Sequence, residues 1–322
     1  MEGRVKIKAI APWFGSKRSM AQRIVAECLQ PNGKPPKSFW DLCCGSLAVS
    51  LAMPHCAHHT AVDLHGDLIN LARVIQDADL GPKFYRHLRR CIFHEQLFRD
   101  AKAAIARDKQ DQPTSVLFDG ADPGRSLSPL ERATAYFIAC WQGRNGVAGT
   151  ERVNYQPCVR WTSGGGAGGV RFANTVNSIP AWRRRLRSIY ILDRDIFQVI
   201  PRIEDQVGTT LYLDTPYVRD GARSGSSKYE HEFNGLDHIR LARELQRFKK
   251  ARVVVSHYDH PLLHELYRSW TFVDCMTQKN LHVQNRRGVG RCEAPEVLII
   301  NGESSTADWD SSDKAEEVEA VE

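Results

Sequence analysis

The residues of this chain best placed to do chemistry stand in one short run, LYLDTPYV, at positions 211–218. An apolar stretch there delivers Asp214, Thr215, Pro216 and Tyr217 to its carboxyl end, and open α/β sheets bind their ligands outside the carboxyl ends of strands. Asp214 offers hydrogen-bond acceptors, the Thr215 carbonyl offers one more, and Tyr217 offers a flat ring. Taken alone, the tetrapeptide reads equally well as an ordinary strand end followed by a turn. Its companions give it context. DLCCGSLAV, at 41–49, is an apolar strand running into a turn at Gly45. About twenty residues later Asp63 ends the next apolar stretch, where dinucleotide-binding sheets place an acid on ribose hydroxyls. PWFGSKR, at 12–18, is a turn-like segment that lacks the GxxxxGK[ST] spacing of a phosphate-binding loop.

Together these segments resemble the amino-group DNA methyltransferases, and their order resembles the Dam-like, alpha-group adenine enzymes of that family. LYLDTPYV is similar to the family's DPPY motif, DLCCGSLAV to its cofactor loop, AVDLHGDLINL (61–71) to its DINxDLI pattern, and PWFGSKR to its WxGGK segment. DRDIF, at 193–197, resembles the segment that contacts the cofactor's adenine. The resemblance implies S-adenosyl-L-methionine as cofactor, held by Trp13, Gly15, Ser16, Lys17, Asp41, Cys44, Gly45, Ser46, Asp63, Asp195 and Ile196. It implies a catalytic group of Asp214, Thr215, Pro216 and Tyr217. A solvated turn acid is the alternative for Asp195.

The chemistry so implied makes physical sense. An aniline-like nitrogen delocalises its lone pair into the ring and is a poor nucleophile. Two fixed acceptors, Asp214 and the Thr215 carbonyl, draw it towards tetrahedral geometry, stabilising charge that develops in the transition state and holding the reactants in line. Tyr217 would stack on a base extruded from the duplex. Three positions depart from the family. Leu47 stands in place of a glycine, which implies a shifted cofactor loop, and Thr215 in place of a proline, which removes some rigidity. Cys43 also replaces a phenylalanine.

The elements that must position these residues alternate. A helix is expected in SMAQRIVAECL, 19–29, with Met20, Ile24, Val25 and Cys28 at helical spacing, after which 31–37 reads as a polar linker. Strands are expected at 38–42, 60–64, 189–192, 210–213, 252–256 and 296–300, with helices after Gly45, at 67–75, 237–250 and 261–267. This is a Rossmann-like α/β sheet with helices on both faces. Between 81 and 181 the pattern changes to longer helices and Arg/Gly-rich loops, which the resemblance assigns to a mainly helical target-recognition insertion. Ser128, Pro129 and Glu131 form a capping box there, GRNG at 143–146 ends the helix, and SGGGAGG at 163–169 reads as a loop. The catalytic domain is accordingly expected over 1–80 and 182–302.

The chain has 44 basic and 38 acidic residues, but eight of the acids crowd into 303–322 beside a single Lys. The remainder carries 43 basic and 30 acidic residues, a balance of +13 that suits a polyanion such as double-stranded DNA. AWRRRLR (181–187) and NRRGVGR (285–291) are basic segments expected near or within loops, and 303–322 has the composition of a disordered tail. The nine cysteines include no CxxC pair, so reduced thiols are expected, and His55, Cys56, His58 and His59 lack a second ligand segment for a metal. His238 reads as structural. With no signal-like or membrane-spanning run, a cytoplasmic monomer or weak dimer is the expectation. The alternatives are transfer to cytosine in DNA, adenine in RNA or a glutamine amide, and a DNA-binding homologue without catalysis.

Overall fold

The computed structural model describes residues 9–13, 15–109, 126–143, 157, 167–218, 233–275, 277–279, 292–294 and 296–306. Its first half runs α1 (Ala21–Cys28), β1 (Ser38–Leu42), α2 (Ala48–Ala52), β2 (His58–Asp63), α3 (Gly66–Gln76), α4 (Leu80–Leu88), α5 (Glu95–Lys109), α6 (Pro129–Gln142) and α7 (Gly168–Leu186). The second half runs β3 (Tyr190–Asp193), α8 (Ile196–Val199), β4 (Thr209–Leu213), α9 (Gly235–Leu245), β5 (Arg252–Tyr258), α10 (Pro261–Leu266), β6 (Thr271–Asp274), β7 (Thr277–Lys279), β8 (Cys292–Ala294) and β9 (Glu296–Ile300).

Seven strands form one sheet in the order β3-β2-β1-β4-β5-β9-β6. The first five are parallel neighbours, and β9 runs antiparallel to both β5 and β6. The order β3-β2-β1-β4-β5 is that of the doubly wound dinucleotide-binding sheet, from which the reversed β9 is a departure. β7 and β8 pair separately as an antiparallel ribbon. The sequence reading missed β6, β7 and β8, which are only three or four residues long.

Central strands are apolar on both faces because helices cover both. Leu211, Leu213, Val253, Val255, Val297 and Ile299 face one core, which α8, α9 and α10 close. The alternate residues Phe39, Tyr212, Val254, Leu298 and Ile300 face the other, against α1 and α2. The side chains expected to drive α1 (Met20, Ile24, Val25 and Cys28) are all buried there.

The helical region is built onto the sheet instead of standing apart. Residues of α3, α4, α6 and α7 share one core with Ala61 of β2 and Ile191 of β3. Arg132 of α6 ties the region together, bonding Asp67 of α3 at 2.5 Å and Asp108 of α5. The capping box that starts α6 forms as read, with Ser128 Oγ accepting from Glu131 N–H and Glu131 from Ser128 N–H.

Four expectations are corrected here. The boundary drawn at 181/182 falls inside the continuous helix α7, and the end of the glycine-rich stretch starts that helix instead of looping. Gly168 fits there because a Cβ would lie 2.8 Å from the Phe93 ring. The basic run 181–187 is helical and partly committed to structure: Ala181, Trp182 and Leu186 are buried, Arg185 donates to the Ser50, Met53 and Pro54 carbonyls, and Arg183 to those of Asp77 and Ala78. Arg184 and Arg187 remain exposed. The first four residues of the expected tail are also held in place. Glu27, fully buried, accepts from Ser304 Oγ, Ser305 N–H, and both N–H and Oγ1 of Thr306, so residues 303–306 belong to the body. Residues 144–146, 163–166, 285–291 and 307–322, for which loops, a basic segment and the tail were expected, lie outside the described residues. Among the described residues no helix is long and apolar enough to cross a membrane.

Candidate active site

Strand register brings the chemically able residues together. Leu42 pairs with both Val62 and Leu213, so Cys43, Asp63 and Asp214 sit side by side at the carboxyl edge. Asp63 pairs in turn with Asp193, and Leu213 with Val255, which sets Ser256 beside Asp214. The backbone continues this alignment, Asp214 N–H reaching the Leu42 carbonyl at 3.3 Å and Cys44 N–H the Val62 carbonyl at 3.0 Å.

Asp214 is held by three donors on one oxygen. Lys17 Nζ lies 2.8 Å from Oδ1, Ser256 Oγ 3.0 Å and the Tyr217 hydroxyl 3.5 Å. Lys17 also donates to the Gly15 carbonyl at 3.1 Å and stands 4.9 Å above the Tyr217 ring. Burial opposes the lysine's charge, but the Asp214 carboxylate, with Tyr212 and Glu296, more than offsets it and holds its pKa above the ordinary value. Lys17 is therefore a cation in contact with the acid.

Tyr217 is clamped from the side. Its ring centroid lies 4.5 Å from that of His257 and 4.4 Å from that of Tyr258. His257 accepts from Val218 N–H at Nε2 and donates from Nδ1 to the Tyr258 carbonyl, which requires the neutral ring. Burial, helped by His238 and Lys17, pulls its pKa down to about 3 and keeps it neutral. His238, read as structural, is buried and packs edge-on against Phe233 and His257, so it backs the ring that clamps Tyr217. Thr215 is buried, and its hydroxyl has no partner among the described residues.

The loop after β1 has a left-handed twist at three points, Cys43 (φ 62°), Gly45 (φ 46°) and Leu47 (φ 60°). Leu47 thus adopts the conformation that glycine reaches without strain, and the loop keeps this turn despite the substitution. Gly45 is required twice over, since a Cβ there would lie 3.0 Å from the Trp13 indole nitrogen. Ser16 and Ser46 share a hydrogen bond of 2.9 Å, tying the N-terminal motif to the same turn. Asp63 accepts from Gly45 N–H at 2.8 Å and from His65 N–H at 2.9 Å. Trp13, Ser16, Lys17, Gly45, Ser46 and Asp214, with Cys44 and others, line one cavity of about 10 Å³, room for about one water.

One expected cofactor residue, Asp41, faces elsewhere, while the side chains of Asp195 and Ile196 have partners of their own. Asp41 is buried and turned towards α2, accepting from Ser50 N–H at 3.2 Å and Ser50 Oγ at 2.6 Å, so it shapes the loop from behind. Burial pushes its carboxyl up to about 7 against those bonds. Asp195 caps α8 through Phe197 N–H at 2.8 Å, and Ile196 is packed into the core near Leu42 and Val62. His59 of the His/Cys cluster also turns inward, to Ser50 at 3.0 Å and Arg185 at 3.1 Å, while His55 and His58 are exposed.

No family model matches the chain, and no curated protein matches its sequence. Ser256, Tyr212, His257 and Tyr258 are the site residues that sequence reading missed. The one available signal was the polar end of the otherwise apolar run RVVVSHY, 252–258, on the strand next to the acid.

Proposed function

We propose that this chain is a DNA methyltransferase that transfers a methyl group from S-adenosylmethionine to the N6 amine of adenine. The observation that carries the reading is the disposition of Asp214: its Oδ1 is filled by Lys17, Ser256 and Tyr217, while no donor among the described residues meets Oδ2. An acceptor fixed in this way, beside a clamped aromatic ring, is what activation of a planar amine needs.

The residues around Gly45 fit the cofactor in kind. The turn offers backbone where a Cβ would collide, the acid of β2 stands at the neighbouring strand end, and Ser16 and Ser46 add polar groups. Bound there, the cofactor would supply an electrophilic sulfonium methyl. The chain's own residues do the rest. Asp214 Oδ2 and the Thr215 carbonyl accept from the amine and orient its lone pair. Tyr217, held by His257 and Tyr258, offers a stacking face for an extruded base. No general base is needed at the site, because the methylated amine is acidic enough to lose its proton to water. The excess of basic residues outside 303–322 supports a polyanionic substrate.

The deciding experiment is transfer of labelled methyl from S-adenosylmethionine to unmethylated duplex DNA, with nucleoside analysis and Asp214→Ala as control. Methyladenine formed by the parent protein and absent from the variant is the expected result. Cofactor bound but no methyl on DNA would sink the DNA assignment and turn the search to RNA or glutamine amides. No cofactor binding would instead favour a DNA-binding protein without catalysis.

A further inference from the structure

We propose that Ser256, backed by Tyr212, is a positioning residue that decides which oxygen of Asp214 is offered to the target amine; this rests on the methyltransferase reading above. A carboxylate at a strand end turns easily about its last torsion, a broad, two-fold rotor. Something must hold it, because an acceptor that rotates is not preorganised. Of the three donors on Oδ1, two belong to parts of the site that meet ligands: Lys17 lies on the N-terminal motif and Tyr217 on the stacking loop. Ser256 alone comes from the interior of the sheet, where it is buried and placed beside Asp214 by the Leu213–Val255 pairing.

The direction of the bonds follows from proton counting. Ser256 Oγ is 3.0 Å from Asp214 Oδ1, 3.4 Å from the Leu213 carbonyl and 2.9 Å from the Tyr212 hydroxyl. A serine has one proton to give. With that proton on the nearer, charged acceptor, Tyr212 must be the donor to Ser256. The relay therefore runs from Tyr212 to Ser256 to Asp214. Its far end is anchored, since Tyr212 is fully buried in the core with Phe39, Met53 and Val254. Strand alternation makes this possible: Tyr212 and Asp214 are two residues apart on one strand, and Ser256 follows Val254 by two on the next, so all three side chains share a face. Oδ1 is thereby fastened to the sheet, and Oδ2 becomes the acceptor left for substrate.

The test uses the full chain and Ser256→Ala, Ser256→Thr and Tyr212→Phe, with kcat and KM measured separately on duplex DNA and S-adenosylmethionine. Loss of a hydrogen bond to a charged group in the transition state should lower kcat about tenfold in Ser256→Ala, with both KM values within about twofold of the parent. Threonine keeps the hydroxyl and should restore most of kcat, and Tyr212→Phe should fall between. An unchanged kcat in Ser256→Ala, or a loss carried by KM alone, overturns the proposal. A second readout needs no activity. In protein labelled with 13C-aspartate, the Asp214 carboxyl resonance, identified by its absence in Asp214→Asn, should move in Ser256→Ala and return in Ser256→Thr. If the parent protein methylates no DNA, the function proposed above fails on its own, and this resonance still decides the relay: no movement in Ser256→Ala overturns it.

Discussion

Lys17 and Asp214, 197 residues apart in sequence, meet at 2.8 Å at the carboxyl edge of the sheet. Lys17 is almost entirely buried, whereas a fifth of the Asp214 side chain is exposed. That asymmetry sets what each substitution does. Asp214→Ala strands a buried cation and should cost about 3 kcal/mol in urea melts. Lys17→Met leaves an acid that still has Ser256 and Tyr217 as donors, and should cost less. The double variant should lose less than the two single losses added together, with a coupling of about 1–3 kcal/mol. Strict additivity would mean that the pair does not act as a unit.

Cys43 and Leu47 share a strained, left-handed backbone but differ in what surrounds them. Relief of that strain is worth about 1–2 kcal/mol for a non-glycine residue, less what glycine adds to unfolded-state entropy. Cys43 is only partly buried, so Cys43→Gly should raise stability by about 0.5–1 kcal/mol. Leu47 is packed in the core at 1% exposure, and Leu47→Gly should lower stability by about 2 kcal/mol because lost packing exceeds the relief. Equal effects of the two glycines would contradict the geometry of this loop.

The fold should be sensitive to mild acid. Burial first, with nearby cations and imidazoles, pulls His59 and His257 to about 3 and His238 to about 4. As pH falls through about 6.5 the unfolded chain takes a proton on each ring, while the folded chain does not until about 3–4. Stability is therefore lost as pH drops through that window. Asp41 opposes this, because its folded value of about 7 lies above the unfolded one, and its contribution is lost as pH rises towards 7. Three groups against one leave a difference of about two protons, roughly 3 kcal/mol per pH unit between about pH 4.5 and 6. Urea melts at half-unit intervals would show it, and a flat profile there would rule it out.

Glu27 predicts where the chain tolerates truncation. Burial opposes its charge, but Ser304, Thr306, Ser305 and Arg252 hold its carboxyl below the usual range. Ending the chain after Asn301 removes the first three of these and should cost about 2–4 kcal/mol. Ending it after Thr306 keeps every one of these partners and should cost less. The second truncation removes seven acids and one Lys, so it should also tighten duplex DNA binding at low salt and have little effect at high salt. Unchanged affinity at low salt would show that the acidic segment does not compete with DNA for the basic body.

Much of the architecture was legible in one dimension. Alternating strand and helix patterns, the Ser128–Glu131 capping box, the acid and aromatic at Asp214 and Tyr217, and the turn at Gly45 are local signals, written within about ten residues and read from period, cap or turn chemistry. Short strands such as Thr271–Asp274 escaped because four residues carry too little periodicity to separate a strand from a loop. The tertiary structure decided everything that depends on register. Parallel pairing alone sets Ser256 beside Asp214, and packing alone lays Trp13 over Gly45, turns Asp41 away from the cavity and seats residues 304–306 on Glu27. These partners lie 9 to 279 residues apart in sequence. A side chain's type shows what it can bond, but which partner it meets is set by how strands align and which face each residue takes, and a shift of one residue would exchange every one of those faces.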